Sequence, residues 1–311
     1  MTSPFHHTPV LLDRIVELFR PVPPGVLVDM TVGGGGHARA LLESRPDLRL
    51  LGLDRDPDAL AAAAISLAPF GDRVTLRRAR FDSLASVMTD LQIPEASGVL
   101  FDLGVSSPQL DRPERGFSYR NDGPLDMRMD PQDTWSAADV VNGYAESDLA
   151  RVLRQHGDER YAGRVARAIV AARPIETTLQ LAEVVRDAIP APARRRGGHP
   201  AKRTFQAIRI EVNRELAILA ESVDAAIAAT APGGRVAVLS YHSGEDRIVK
   251  DRFRQAATGG CTCPPGLPCV CDAVRTVRLV KAGAWQAPPA EVAANRRAES
   301  ARLRAAEKLT A

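Results

Sequence analysis

Along the first third of the chain, short apolar runs alternate with longer helical patterns. Val26 to Val32 is a compact apolar run and predicts a buried strand; glycines follow, then a helical pattern from His37 to Arg45. Leu48 to Leu53 predicts a second strand ending in Asp54, and Pro57 suits the first turn of an alanine-rich helix. Val74 to Leu76 opens a third strand that reaches toward Phe81. Asp82 to Leu91 then predicts a helix and Gly98 to Leu103 a fourth strand. Strands alternating with helices imply an α/β arrangement, a parallel sheet covered on both faces.

The alternation then stops. Ser106 to Pro131, rich in Pro, Gly, Asp and Arg, predicts a long ordered loop, and such a loop in a compact protein is usually functional. Trp135 to Ile189 is purely helical in pattern, with Ser136 and Ser147 as candidate N-caps and Gly157 and Pro174 as separators. A basic loop, Arg194 to Arg203, precedes a long amphipathic helix from Thr204 to Thr230. Pro232-Gly233-Gly234 ends that helix, and Arg235 to Leu239 returns to strand character. The interruption is roughly a hundred residues, a domain-sized length. The expected organisation is an α/β domain, residues 1–112 and 217–311, interrupted by an all-helical domain at 113–216. The last part holds a cysteine cluster, a strand-like segment from Thr276 to Lys281 and a charged segment from Glu291, with C-terminal strands completing the sheet.

Composition narrows the class only a little. The 311 residues are 45% hydrophobic and 25% charged, ordinary for a globular protein with a sizeable core. A formal net charge of +3 permits a nucleic-acid partner without demanding one, so local clusters must carry that case. No stretch is long and apolar enough to cross a bilayer, and Met1 to Pro9 lacks the basic-then-apolar pattern of a secretory signal. The expected compartment is the cytoplasm, where four cysteines would be reduced thiols or metal ligands rather than disulfides.

Candidate chemistry sits at the strand ends. Val28-Asp29-Met30-Thr31-Val32-Gly33-Gly34-Gly35-Gly36-His37-Ala38 joins the first strand to the first helix. Glycines there let backbone approach a ligand, and the helix start offers unpaired N–H groups. Asp54, ending the second strand, can accept both hydroxyls of a ribose. Gly33-x-Gly35-x-x-Ala38 also fits a dinucleotide fingerprint, with an acid about 20 residues on. Asp29 tilts the choice toward S-adenosylmethionine, whose sulfonium cation a carboxylate attracts. The usual methyltransferase loop has glycine two residues after that acid; here the residue is Thr31. Beyond the fourth strand, Asp102 and the segment Ser106-Ser107-Pro108 could orient an exocyclic amine, a poor nucleophile because its lone pair is delocalised into the ring.

Longer motifs make the resemblance specific. They are HTPVLL from His7, the GGGGH loop, Leu53-Asp54-Arg55-Asp56-Pro57 and DLGVSSPQLD from Asp102 to Asp111. RGFSY from Arg115, DGPLDMRMD from Asp122, HPAKRTFQAIRI from His199 and SYHSGEDRIVK from Ser240 continue the series. Over nearly its full length the chain resembles the RsmH/MraW family of ribosomal small-subunit RNA cytosine-N4 methyltransferases. The resemblance implies a Rossmann-like S-adenosylmethionine-dependent methyltransferase fold with an inserted helical RNA-recognition domain. It implies donor binding by Gly35, Gly36, His37, Asp54, Phe81, Asp102 and Gln109, with Phe81 along the adenine. The implied substrate is a cytosine in the decoding region of 16S rRNA in the small ribosomal subunit. Gly244 is a departure, since the family commonly has leucine after His-Ser.

RNA contacts are expected from the Arg194–Arg203 loop and from Arg112, Arg115, Arg120 and Arg128, interleaved with Phe117 and Tyr119 for stacking on unpaired bases. Asp122, Asp126 and Asp130 could instead pair with these arginines and fix the loop, and His242 and Glu245 could face substrate or cap a helix. No catalytic metal is required. Cys261, Cys263, Cys269 and Cys271 leave open a zinc site or a proline-braced loop of thiols. Two other functions stay open at this point: a nicotinamide-dependent oxidoreductase on the same glycine loop, and a non-enzymatic ribosome-assembly factor.

Overall fold

A computed structural model describes residues 9–194, 198–263 and 270–310. His7 and Thr8 of the first motif, Arg195 to Gly197 of the basic loop and Cys269 lie outside the described residues. The chain forms two compact units, one of Met1–Gly104 with Ile218–Ala311 and the other of Val105–Ala217.

The first unit is built on a seven-stranded sheet. Its strands are β1 (Gly25–Asp29), β2 (Leu48–Asp54), β3 (Val74–Arg78), β4 (Ala96–Asp102), β5 (Thr230–Ser240), β6 (Val277–Leu279) and β7 (Arg302–Lys308). Their order is β3-β2-β1-β4-β5-β7-β6, parallel from β3 through β5, with β7 antiparallel to both β5 and β6. The expected Rossmann-like fold is present. Strand order reverses between β1 and β4, the place where such sheets open a ligand crevice at their carboxyl ends. Leu27, Leu50, Leu51 and Phe101 are fully buried in the strands, and Ile15, Phe19 and Leu41 pack from the helices Leu12–Phe19 and Gly36–Ser44. The charged C-terminal segment becomes β7 because its alternate residues Leu303 and Ala305 are buried while Arg304 and Glu307 find partners. Arg304 pairs with Asp246 at 2.7 Å and Glu307 with Arg235 at 2.8 Å.

The second unit is helical. Its principal helices are Ala137–Gly143, Glu146–Gly157, Ala162–Ala171, Thr178–Ala188 and Lys202–Asn213. Ser136 caps the first of these in a capping box with Asp139, as its sequence position suggests, whereas Ala145 rather than Ser147 precedes the second. The segment from Ser106 to Pro131 is not wholly loop, since Ser107–Asp111 is a short helix and Pro113–Arg115 a 3-10 turn. The long helix expected from Thr204 to Thr230 is broken: Arg214 adopts φ 54°, and helices run over Lys202–Asn213 and Glu215–Ala229. The break follows buried Asn213. Its Nδ2 donates to the Met127 carbonyl at 2.7 Å, and its Oδ1 accepts from Met129 N–H at 2.8 Å. One side chain thereby satisfies two backbone groups of the loop that faces it. Replacing Asn213 with Ala should destabilise the protein by about 2–3 kcal/mol, because two buried backbone groups lose their partner. Urea denaturation checks this, and a change below about 0.5 kcal/mol would count against the anchoring role.

Candidate active site at the strand ends

Three carboxylates end three neighbouring strands: Asp29 on β1, Asp54 on β2 and Asp102 on β4. The pairing register sets Asp29 beside Gly52 of β2 and Leu100 of β4, so the acids gather at one edge of the sheet. After β1 the chain turns through Gly33 (φ 53°) and Gly35 (φ 81°), left-handed conformations that glycine adopts without penalty. Gly35 then stands as N-cap of the helix that begins at Gly36 and His37. A Cβ on Gly36 would fall 2.5 Å from the Pro9 ring, so that position excludes any larger residue, whereas Gly34 faces open space.

Each acid is held differently. Asp54 accepts from Gly33 N–H through Oδ2 and from Asp56 N–H through Oδ1, both at 2.9 Å. This ties the glycine turn to the end of β2 and leaves lone pairs on both oxygens. Burial raises the Asp54 pKa to about 6 despite those bonds. Asp29, 2% exposed, accepts from Thr31 N–H at 3.2 Å. Burial pushes its pKa to about 7; His37 pulls it down, and the charges of Asp102 and Asp54 add to the rise.

Asp102 is fixed at three points. Its backbone N–H donates to Thr31 Oγ1 at 2.7 Å, its Oδ1 accepts from the Tyr241 hydroxyl at 2.8 Å, and its Oδ2 lies 3.4 Å from His37 Nδ1. His37 Nε2 donates to the Val10 carbonyl at 3.0 Å, so a proton on Nδ1 makes the ring cationic and aims it at Asp102. Burial opposes that charge, yet the hydrogen bond and charge of Asp102 hold the His37 pKa above its ordinary value. Burial and the facing carboxylate likewise keep the Tyr241 phenol well above its usual range, so it remains a donor. Thr31, which replaces the expected glycine, therefore has a purpose: its hydroxyl fastens β1 to the end of β4.

The other expected residues divide. Phe81 is half-buried after β3 and meets Phe101 edge-on, with centroids 6.0 Å apart. Gln109, Ser106, Ser107 and Pro108 belong to the second unit, where Ser106 and Gln109 form a capping box around the helix Ser107–Asp111. Gln109 Oε1 accepts from Ser106 N–H at 2.9 Å, so its amide has a structural duty there. Phe117, expected to stack on bases, instead lies in the helical core at 5% exposure. Tyr119 stacks on His199 at 4.5 Å, with Arg120 over its ring at 5.8 Å. Arg128 pairs with Asp126 at 2.7 Å, and Arg115 donates to the carbonyls of Arg128 and Met129, so both hold their own loop. Glu245 caps the helix Ser243–Thr258 with His242, accepting from Tyr241 N–H at 2.8 Å. Sequence reading gave Tyr241 no role; its place after β5 within SYHSGEDRIVK was the available signal.

The sequence model of the MraW methylase family matches residues 4–309. The chain belongs to that family. It is 56% identical over 310 residues to ribosomal RNA small subunit methyltransferase H of Acidothermus cellulolyticus, covering 97% of this chain and 94% of that protein. It is 54% identical to the protein of the same name from Symbiobacterium thermophilum, covering 99% and 98%. A Mycobacterium sp. (strain KMS) relative, also so named, is 55% identical over 97% of this chain and 84% of its own length. The chain is thus a methyltransferase that uses S-adenosylmethionine, and neither the oxidoreductase nor the non-enzymatic alternative stands. The donor set fits: three crowded carboxylates with His37 as their cationic neighbour are chemically complementary to a cationic methyl donor.

The pKa of Asp29 gives a test on ligand-free protein. Raised in the folded state from 3.8 to about 7, it contributes stability that is present below pH 4 and lost as pH rises through 7. Asp29→Asn removes that loss, so relative to wild type the variant should gain about 2–4 kcal/mol between pH 4 and pH 8. Denaturant melts across that range measure it; a pH-independent difference would show that Asp29 ionises normally.

Proposed function

We propose that this protein transfers a methyl group from S-adenosylmethionine to the exocyclic N4 of a cytosine in the decoding region of 16S rRNA. The observation that carries the reading is the three-point fixation of Asp102 at the end of β4, in a chain related over its full length to small-subunit rRNA methyltransferases. The donor supplies a methyl on a sulfonium, open to in-line displacement by a nucleophile.

The protein's part is orientation. Asp102 accepts a hydrogen bond from the cytosine amine and turns its lone pair toward the methyl carbon, with the Ser106-Ser107-Pro108 backbone as a second guide. Tyr241 and His37 keep the carboxylate from rotating, and each of its oxygens retains acceptor capacity for the amine. Asp54 receives the ribose hydroxyls, Gly35, Gly36 and His37 line the turn, and Phe81 lies along the adenine. Gln109 completes the set by resemblance. The amine's proton leaves after transfer, to water or a nearby acceptor. RNA phosphates meet the basic residues of the 194–203 loop, and Arg120 with Tyr119 offers a face for an unpaired base. Among the described residues no helix is long and apolar enough to cross a membrane. The proposed place of action is the cytoplasm, with the small ribosomal subunit as partner.

The direct experiment offers labelled donor and undermethylated small subunits to the purified protein and maps the modified nucleotide. Label on a single 16S cytosine at N4 is expected; an unmodified cytosine pool overturns the reading. In the same assay Asp102→Ala should lower kcat/KM by at least about 100-fold with the fold retained, and Tyr241→Phe by about 10-fold through a loosened carboxylate. Undiminished activity in Asp102→Ala would remove that residue from the chemistry.

A further inference from the structure

Three thiols outside the methyl-transfer site converge. The sulfurs of Cys261, Cys263 and Cys271 all lie within 4.8 Å of one another. Their loop leaves the helix Ser243–Thr258 through Gly259 (φ 64°) and Gly260 (φ 72°), and Cys261 N–H donates to the Thr258 carbonyl at 3.2 Å. The returning chain is fastened at the same place. Thr276 N–H donates to the Ala256 carbonyl at 3.0 Å, and a Cβ on Gly259 would fall 2.6 Å from Val274 backbone atoms. The base of the loop is therefore closed backbone against backbone, with room for glycine alone.

Apolar packing does not account for the convergence. Cysteine without metal behaves as a small hydrophobe and is normally buried. Here Cys271 is exposed, Cys261 and Cys263 are half-buried, and the nearby Val270 and Val274 are 84% and 74% exposed. We propose that the three thiols form a structural zinc site that holds this loop together. Zinc binds thiolates at about 2.3 Å in a tetrahedron, which sets sulfurs about 3.7 Å apart, so a small contraction of the observed group places the three sulfurs at three corners, with the fourth taken by a further ligand or water. Each thiol gives its proton to solvent as its sulfur–zinc bond forms, with no change in oxidation state. The site goes beyond the methyl-transfer function and stands independently of it.

Zinc content of the full-length protein, purified under reducing conditions without chelator, tests the site. About one zinc per chain is expected. Cys263→Ser and Cys271→Ser should each lose the metal while retaining the helical circular-dichroism spectrum and donor binding. Cobalt-loaded wild type should show thiolate-to-cobalt charge-transfer bands that both variants lack. Wild-type protein that stays metal-free after zinc loading and desalting would overturn the proposal, as would full zinc retention by a variant carrying both Cys263→Ser and Cys271→Ser. The wild-type measurement decides the matter even where a variant fails to fold.

Discussion

Carboxylates buried at the ends of parallel strands cost free energy, and that cost organises the site. Asp29, Asp54 and Asp102 are brought together by strand register; loss of water raises the pKa values of the first two, with the charges of Asp102 and Asp54 adding to the rise at Asp29 and that of Asp56 at Asp54. The protein offsets part of this with Gly33, Thr31 and Asp56 N–H groups and with the His37 ring. In the proposed function, a cationic methyl donor supplies the rest. Affinity for the donor and the strain of the ligand-free site are then two aspects of one electrostatic arrangement.

Orientation is the second consequence. An amine that is intrinsically unreactive gains most from an acceptor that cannot turn away. Thr31 and His37, from the turn after β1, and Tyr241, from the end of β5, reach Asp102 from two distant stretches of the sequence, and Tyr241 lies 139 residues from it along the chain. The sheet makes this possible, since β1, β4 and β5 are adjacent and their ends coincide.

Much of this was legible in the sequence, because hydrophobic period and strand-terminal acids are local signals. The apolar runs gave β1, β2 and β4, and the glycine turn with Asp29 and Asp54 announced a ligand crevice. What stayed hidden depends on long-range partners. Thr31 looked like a departure from a loop pattern until its hydroxyl met the Asp102 N–H, 71 residues away. Arg214 is a good helix former, so nothing local marks the break that Asn213 imposes by bonding to Met127 and Met129. Phe117 sits among arginines in sequence yet is packed in the helical core, since flanking charge does not report burial. The cysteine spacing left metal and thiol loop equally open, and spacing alone could not show that three of the sulfurs converge within 4.8 Å.

The most direct measurement of the electrostatic claim is proton exchange on donor binding, by calorimetry at pH 7 in buffers of different ionisation enthalpy. A cation brought beside Asp29 must lower its pKa from about 7, so release of a fraction of a proton is expected. Binding with no proton released would contradict the view that the buried acids and the donor's charge complete one another.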